Sequence, residues 1–199
     1  MGNCISCNNN EITVLTGNPG KLKEFQSIIG DSVIIKNERL DLEEIQTTYC
    51  KKVVEDKLNR AIDVLKGKSC IVDDSGLEIN DKVMNGFPGA LIKFYYDKLG
   101  NEGICQRNGG LNATAVTVIG YYDGKNKYYF EGKRKGKIAK KPQSNGEGFG
   151  WDPVFIPEME GNQINELSYA QLSEDVKNKI SQRSAAIEKL KEHIIKNKN

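Results

Sequence analysis

Residues 16–21, Thr-Gly-Asn-Pro-Gly-Lys, stand between an apolar run (Ile12, Val14, Leu15) and a helical stripe (Leu22, Phe25, Ile28, Ile29) closed by Gly30. A strand, a glycine-rich turn and a helix in that order aim free backbone N–H groups and the positive end of a helix dipole at one spot. Such a spot suits a phosphate. Lys21 adds a mobile positive charge, Thr16 and Asn18 add polar contacts, and Gly17, Pro19 and Gly20 shape the bend. The run is not a P-loop. Only two residues part Gly17 from Gly20, fewer than that motif has, and Leu22 follows the lysine where it has Ser or Thr. The plainer alternative is a tight turn carrying a surface lysine.

A second group is acidic. Asp73 and Asp74 follow the apolar run Cys70-Ile71-Val72, and Ser75-Gly76 reads as a turn that ends the strand. Strand ends in α/β proteins open into ligand crevices, and neighbouring carboxylates raise each other's pKa or share a cation. The single histidine, His193, lies in a C-terminal helical stripe and reads as a helix-surface residue. Serine-triad chemistry and a histidine-rich metal site therefore do not fit. The fitting cation is hard and oxygen-seeking: Mg²⁺, with Mn²⁺ as a substitute. Glu44, in the exposed stretch Leu42–Gln46, is the candidate second ligand. The alternatives are a cap or Asx-turn for the aspartates and a solvated face for Glu44. A phosphate-shaped turn, an acid pair and no usable histidine together point to phosphoryl chemistry on a nucleotide.

The elements that must position these groups alternate. Helical stripes run over 22–29, 53–65 and the C-terminal 176–194, with a short amphipathic helix over 90–100. Short strands are read at 33–35 and 70–74, and a long hairpin turns near Asp123-Gly124. This pattern argues a mixed-sheet α/β fold. The chain has 199 residues and a net charge of +2, so nothing global calls for nucleic acid. The basic stretch 132–141 reads as a solvated hairpin edge, with a backbone-binding strip for nucleic acid as its rival.

Five widely spaced cysteines argue against a disulfide framework and for a reducing, cytoplasmic setting. Residues 1–10 read as a disordered leader, and 11–199 as a single domain. The opening Met-Gly-Asn-Cys-Ile-Ser-Cys matches the myristoylation pattern at Gly2, with Cys4 and Cys7 as palmitate sites. Membrane association is expected only if those residues are acylated.

Thr-Gly-Asn-Pro-Gly-Lys, Asp-Asp-Ser-Gly-Leu, Gly-Phe-Pro-Gly, Gly-Phe-Gly-Trp-Asp-Pro-Val-Phe and Lys-Asn-Lys-Ile-Ser-Gln-Arg occur in that order. Together they resemble the inosine triphosphate pyrophosphatase family over most of the chain. The resemblance implies an elongated mixed sheet flanked by helices, two lobes with a central cleft, Mg²⁺ dependence and a homodimer. It also implies hydrolysis of ITP, dITP and XTP to the monophosphate and pyrophosphate. On this resemblance Thr16 to Lys21 and Lys57 hold the triphosphate, and Glu44 and Asp74 hold the metal. Asp74 is also the proton acceptor, with Asp73 and Lys21 beside it in catalysis. Ser75 contacts substrate, Phe149, Gly150, Trp151 and Asp152 form the base pocket, and Lys177 and Arg183 contact the nucleotide. Gln182 stands where many relatives have His; it can hydrogen-bond a base edge but cannot take a charge. Lys177 and Arg183 are six positions apart, which on one straight helix would put them on different faces.

Overall fold

Period-two patterning over 112–138 becomes two long antiparallel strands, β5 (Asn112–Tyr122) and β6 (Lys127–Ile138), joined at Asp123. Asp123 Oδ1 accepts from the backbone N–H groups of Lys125 (2.7 Å) and Asn126 (2.6 Å), which sets the turn. The computed structural model describes residues 11–30, 33–40, 42–146, 148–159 and 166–197. Before the hairpin come β1 (Glu11–Leu15), α1 (Pro19–Ile29), β2 (Ile34–Glu38), α2 (Cys50–Val64), β3 (Cys70–Ile79), β4 (Pro88–Gly89) and α3 (Ile92–Asn108). After it come β7 (Phe155–Pro157), α4 (Glu174–Ile180) and α5 (Gln182–Lys196). The strands form one seven-stranded mixed sheet in the order β2-β1-β3-β5-β6-β7, with β4 also paired to β3. The mixed α/β class read from the sequence is thus borne out.

Side-chain alternation divides the core. On one face Ile71 and Ile119 pack with Phe25 and Ile29 of α1 and Ile187 and Leu190 of α5. On the other face Val72 and Val118 pack with Val54 and Leu58 of α2. Further along β3, Leu77 and Ile79 belong to a separate cluster with Ile104, Ile138, Phe155 and Tyr169. The stretch from Asp73 to Gly76 lies between these packing centres.

Several local expectations need correction. Ser75-Gly76 does not end β3. The strand runs on because β5 pairs with it without a break, from Cys70 opposite Tyr122 to Ile79 opposite Ala113. Gly76 is required by crowding rather than by a bend. A Cβ there would lie 2.7 Å from the Gly89 backbone and 2.8 Å from Cys50 Sγ. Helix α3 reaches to Asn108 and is broken at Gly100 (φ 64°), where a short helix was expected. The C-terminal stripe is two helices, parted at Ser181, whose extended backbone and side chain cap α5 by accepting from Ser184 N (3.1 Å). The solvated edge read at 132–141 holds in part: Lys133 and Lys135 are exposed, but Gly136–Ile138 pair with β7 and Arg134 Nε donates to Ile180 O at 2.6 Å.

Helix α5 meets β6 at Gly132, where a Cβ would fall 1.9 Å from the Gln182 carbonyl oxygen and 2.7 Å from Ala186 N. Both obstacles are backbone and cannot rotate away. Gly132→Ala is expected to destabilise the protein by about 3 kcal/mol, the upper end for overpacking. Urea unfolding should show a lower midpoint with an unchanged slope; an unchanged midpoint would refute the contact.

Candidate functional site

On its β1 side, β3 is paired with β1 only at Cys70 and Ile71 and with β4 only at Leu77 and Glu78. Val72 to Gly76 face the gap between them, and over this gap opens a cleft of about 840 Å³. Asp73, Asp74 and Ser75 line it from β3, Thr16, Gly17, Asn18, Lys21 and Glu24 from the β1–α1 turn and α1, and Lys57 from α2. Glu44 lines it from the loop before α2, and Phe149, Gly150, Trp151, Asp152, Lys177, Gln182 and Arg183 from the C-terminal third. Of the residues singled out in the sequence, Pro19 and Gly20 are not among those lining it. Gly20 sits against the Phe149 ring, 3.0 Å from where its Cβ would be, so it serves close packing of the turn.

The turn differs from the open cradle of free N–H groups read from its composition. Asn18 caps α1, its Oδ1 accepting from Gly20 N (2.9 Å) and Lys21 N (3.3 Å), and Asn18 N donates to Thr16 Oγ1 (3.1 Å). An anion that uses those two N–H groups must displace the Asn18 side chain.

The two aspartates do not act as one pair. Successive side chains on a strand point to opposite faces. Asp73 turns toward α1 and α5, with Oδ2 at 2.9 Å from Lys21 Nζ and 3.6 Å from Arg183 Nε. Burial alone would raise its pKa, but the charges of Lys21, Arg183 and Lys57 hold it below the usual carboxylate range. Asp74 turns toward α2, on the side of the Cys50 thiol. Burial pushes Asp74 up to about 6, with the Asp73 charge adding to the rise and Lys21 opposing it. Its Oδ2 is buried with no hydrogen-bond partner among the described residues.

Glu44 is half exposed and bonds Lys57 Nζ, which also reaches the Asp73 carbonyl at 3.5 Å. Burial works against the Lys57 charge, but Glu44, Asp73 and Asp74 hold its pKa above the ordinary lysine value. Among the described residues no three His, Cys, Asp or Glu side chains form a ready metal cluster. Two carboxylates completed by substrate oxygens are nevertheless a usual Mg²⁺ arrangement. The unpartnered Asp74 oxygen and the accessible Glu44, on one cleft, fit it.

At the other end, Asp152 Oδ2 accepts from Phe149 N (3.0 Å) and Lys177 Nζ (2.7 Å), which folds the 149–152 loop around its own acid. Lys177 Nζ lies 4.5 Å from the Phe149 ring centroid. Arg183 Nη1 pairs with Glu24 Oε2, and its Nη2 donates to Ser75 Oγ at 3.0 Å. The helix break at Ser181 resolves the six-residue spacing: Lys177 lies in α4, Arg183 in the first turn of α5, and both reach the cleft.

Three contributors escaped the sequence reading. Glu24 is buried and holds both Arg183 and Lys177 (3.4 Å). Its only signal is an acid four residues before Ile28 on the buried face of α1. Tyr169, behind the cleft wall, and Cys50, beside Asp74, gave none. His193 packs on Tyr128 at 4.1 Å and is not among the cleft residues, as expected of a helix-surface histidine. Cys50, Cys70 and Cys105 are free. Gly2, Cys4 and Cys7, with the acylation expectation, lie outside the described residues.

Fold and cleft define a mixed α/β protein with a cleft lined by paired charges of both signs. The Ham1 family model matches residues 12–193. An inosine triphosphate pyrophosphatase of Saccharomyces cerevisiae is 38% identical over 202 aligned positions, spanning 95% of this chain and 98% of that protein. A dITP/XTP pyrophosphatase of Methanopyrus kandleri is 36% identical, spanning 92% and 95%. Among solved structures, a HAM1 protein of Coxiella burnetii superposes with a TM-score of 0.73 at 25% identity, covering 94% of this chain and 98% of that one. The Ham1 protein of Staphylococcus aureus gives 0.67 at 27% identity, covering 95% and 100%. The chain belongs to the Ham1 family, which bears out the resemblance read from its motifs.

Proposed function

We propose that the protein is a nucleoside-triphosphate pyrophosphatase that hydrolyses ITP, dITP and XTP to the monophosphate and pyrophosphate, with Mg²⁺ held by Glu44 and Asp74. The observation that carries this reading is the gathering of the Thr16–Lys21 turn, the Asp73–Ser75 strand and the 149–152 and 177–183 segments around one cleft. Relatives named for these activities match nearly the whole chain.

Release of pyrophosphate requires attack of water at the α-phosphorus. Mg²⁺, when bound, polarises the phosphate oxygens and offsets charge on the leaving group. Lys21 and Lys57 supply fixed positive charge to the phosphates without giving up protons. Asp73 stays ionised and aims Lys21. Asp74, whose Oδ2 has no hydrogen-bond partner among the described residues, is the carboxylate beside the attacking water and accepts its proton. Phe149 offers a face for the base, and the Arg183 region offers donors to an oxygen at the purine six-position. Adenine carries an amino donor there and meets them donor to donor.

Incubation with ITP, dITP, XTP, GTP and ATP, with and without Mg²⁺, tests the proposal. Pyrophosphate and monophosphate are expected from the first three, and only with metal. Orthophosphate as the first product would overturn it. The proposal extends to a cytoplasmic homodimer, checked by mass in solution and by cell fractionation. Among the described residues no helix is long and apolar enough to cross a membrane.

A further inference from the structure

We infer that the Tyr169 hydroxyl orients the Gln182 side-chain amide, so that its Nε2 donor, not its oxygen, meets the six-position of a purine. This inference rests on the functional reading above and adds to it a specificity-determining device outside the substrate's reach.

Tyr169 is 1% exposed, its ring against Phe155 (5.0 Å between centroids) and Trp151 (6.5 Å). Its 3₁₀ turn, Tyr169–Gln171, is pinned at Ser168, whose N–H donates to Gln171 Oε1 (3.2 Å) and whose hydroxyl donates to Gln143 O (2.7 Å). From this fixed position the phenol donates to Gln182 Oε1 at 3.0 Å. Burial keeps the phenol protonated.

Gln182 opens α5, is itself buried and lines the cleft. Oxygen and nitrogen diverge from one planar carbon in its amide, so turning Oε1 to Tyr169 turns Nε2 away from it. The amide oxygen is taken by Tyr169, and Gln182 lines the cleft, so Nε2 is the end of the amide left to face it. It is a neutral donor that can meet a ligand. Hypoxanthine and xanthine present an acceptor at the six-position, and adenine presents a donor. A free amide could rotate by half a turn and offer its oxygen to adenine; the tyrosine prevents that.

The test is Tyr169→Phe, read as kcat/KM for ITP and ATP. The ITP value should stay within about threefold while the ITP-to-ATP ratio falls about tenfold, the worth of one mismatched hydrogen bond. A structural defect would lower both substrates alike, so a folded Tyr169→Phe with an unchanged ratio overturns the inference. If that variant does not fold, Gln182→Glu and Gln182→Leu decide. The carboxylate offers only acceptors and should give a lower ratio than leucine; equal ratios overturn the inference. Calorimetric binding of IMP and AMP to wild type and Tyr169→Phe needs no turnover. A wild type that hydrolyses no ITP would sink the functional reading, while a narrowed IMP preference in the variant would still uphold the orienting role, and an unchanged one would refute it.

Discussion

Asp74→Asn is expected to lower ITP turnover roughly a thousandfold, the scale of losing a group that acts on the transition state, while raising the thermal midpoint of the metal-free protein at pH 7. The two halves have one cause. Asp74 is partly buried, and its Oδ2 is fully buried with no hydrogen-bond partner among the described residues. Its carboxylate is therefore a poorly solvated charge, and burial lifts its pKa to about 6 from an ordinary 3.8. The folded state binds this proton more tightly than the unfolded state does. Stability is then greatest below the unfolded value, falls as pH rises from about 4 to about 6, and stays reduced above that window. The reduction is on the order of 3 kcal/mol at pH 7. Asn removes the ionisation and with it the pH dependence. Thermal unfolding in chelator should show the variant above wild type at pH 7 and the gap closing toward pH 4. A variant with near-normal turnover would end the assignment of Asp74. A variant less stable than wild type at pH 7 would mean that the Lys21 and Cys50 contacts outweigh burial.

How much of this was legible in the sequence depends on whether a signal was local. The apolar stripes of α1 and α2 and the β5–β6 hairpin follow from spacing alone, because each buries one face against the sheet. Of the site residues read from the sequence, all but Pro19 and Gly20 line the cleft. What stayed hidden depends on partners distant in the chain. Asp-Asp-Ser-Gly has the composition of a turn, and only the ladder to β5 keeps it extended. That extension sends Asp73 and Asp74 to opposite faces, which no reading of two adjacent acids could supply. Asn18 looked like a substrate contact, but its cap is a local bond that competes with that role. Glu24 resembles any acid on a helix until α5 delivers Arg183 and Lys177 to it across 159 and 153 positions.

Arg183→Met should do the greatest combined damage, because this one side chain balances the charges of the cleft and lines it. The buried ion pairs link Asp73, Glu24 and Asp152 with Lys21, Lys177 and Arg183, three charges of each sign. Removing the guanidinium leaves Glu24 with Lys177 at 3.4 Å as its remaining cation and Asp73 resting mainly on Lys21. Breaking a buried pair from one side costs about 3–5 kcal/mol, or roughly 10 °C in Tm for a chain of this size. The cleft also gains a net negative charge where a polyanion must enter, so kcat/KM for ITP should fall roughly a hundredfold or more. Lysine is not expected to rescue it, since one ammonium cannot hold Glu24 and Ser75 together as the planar fork does. The decisive measurement is a double-mutant cycle with Glu24→Gln. Once the acid is neutral, loss of the arginine strands less charge. The double variant should therefore be more stable than the sum of the singles predicts, by about 1–3 kcal/mol. Additive losses would show that Arg183 is held by its packing and not by the Glu24 charge.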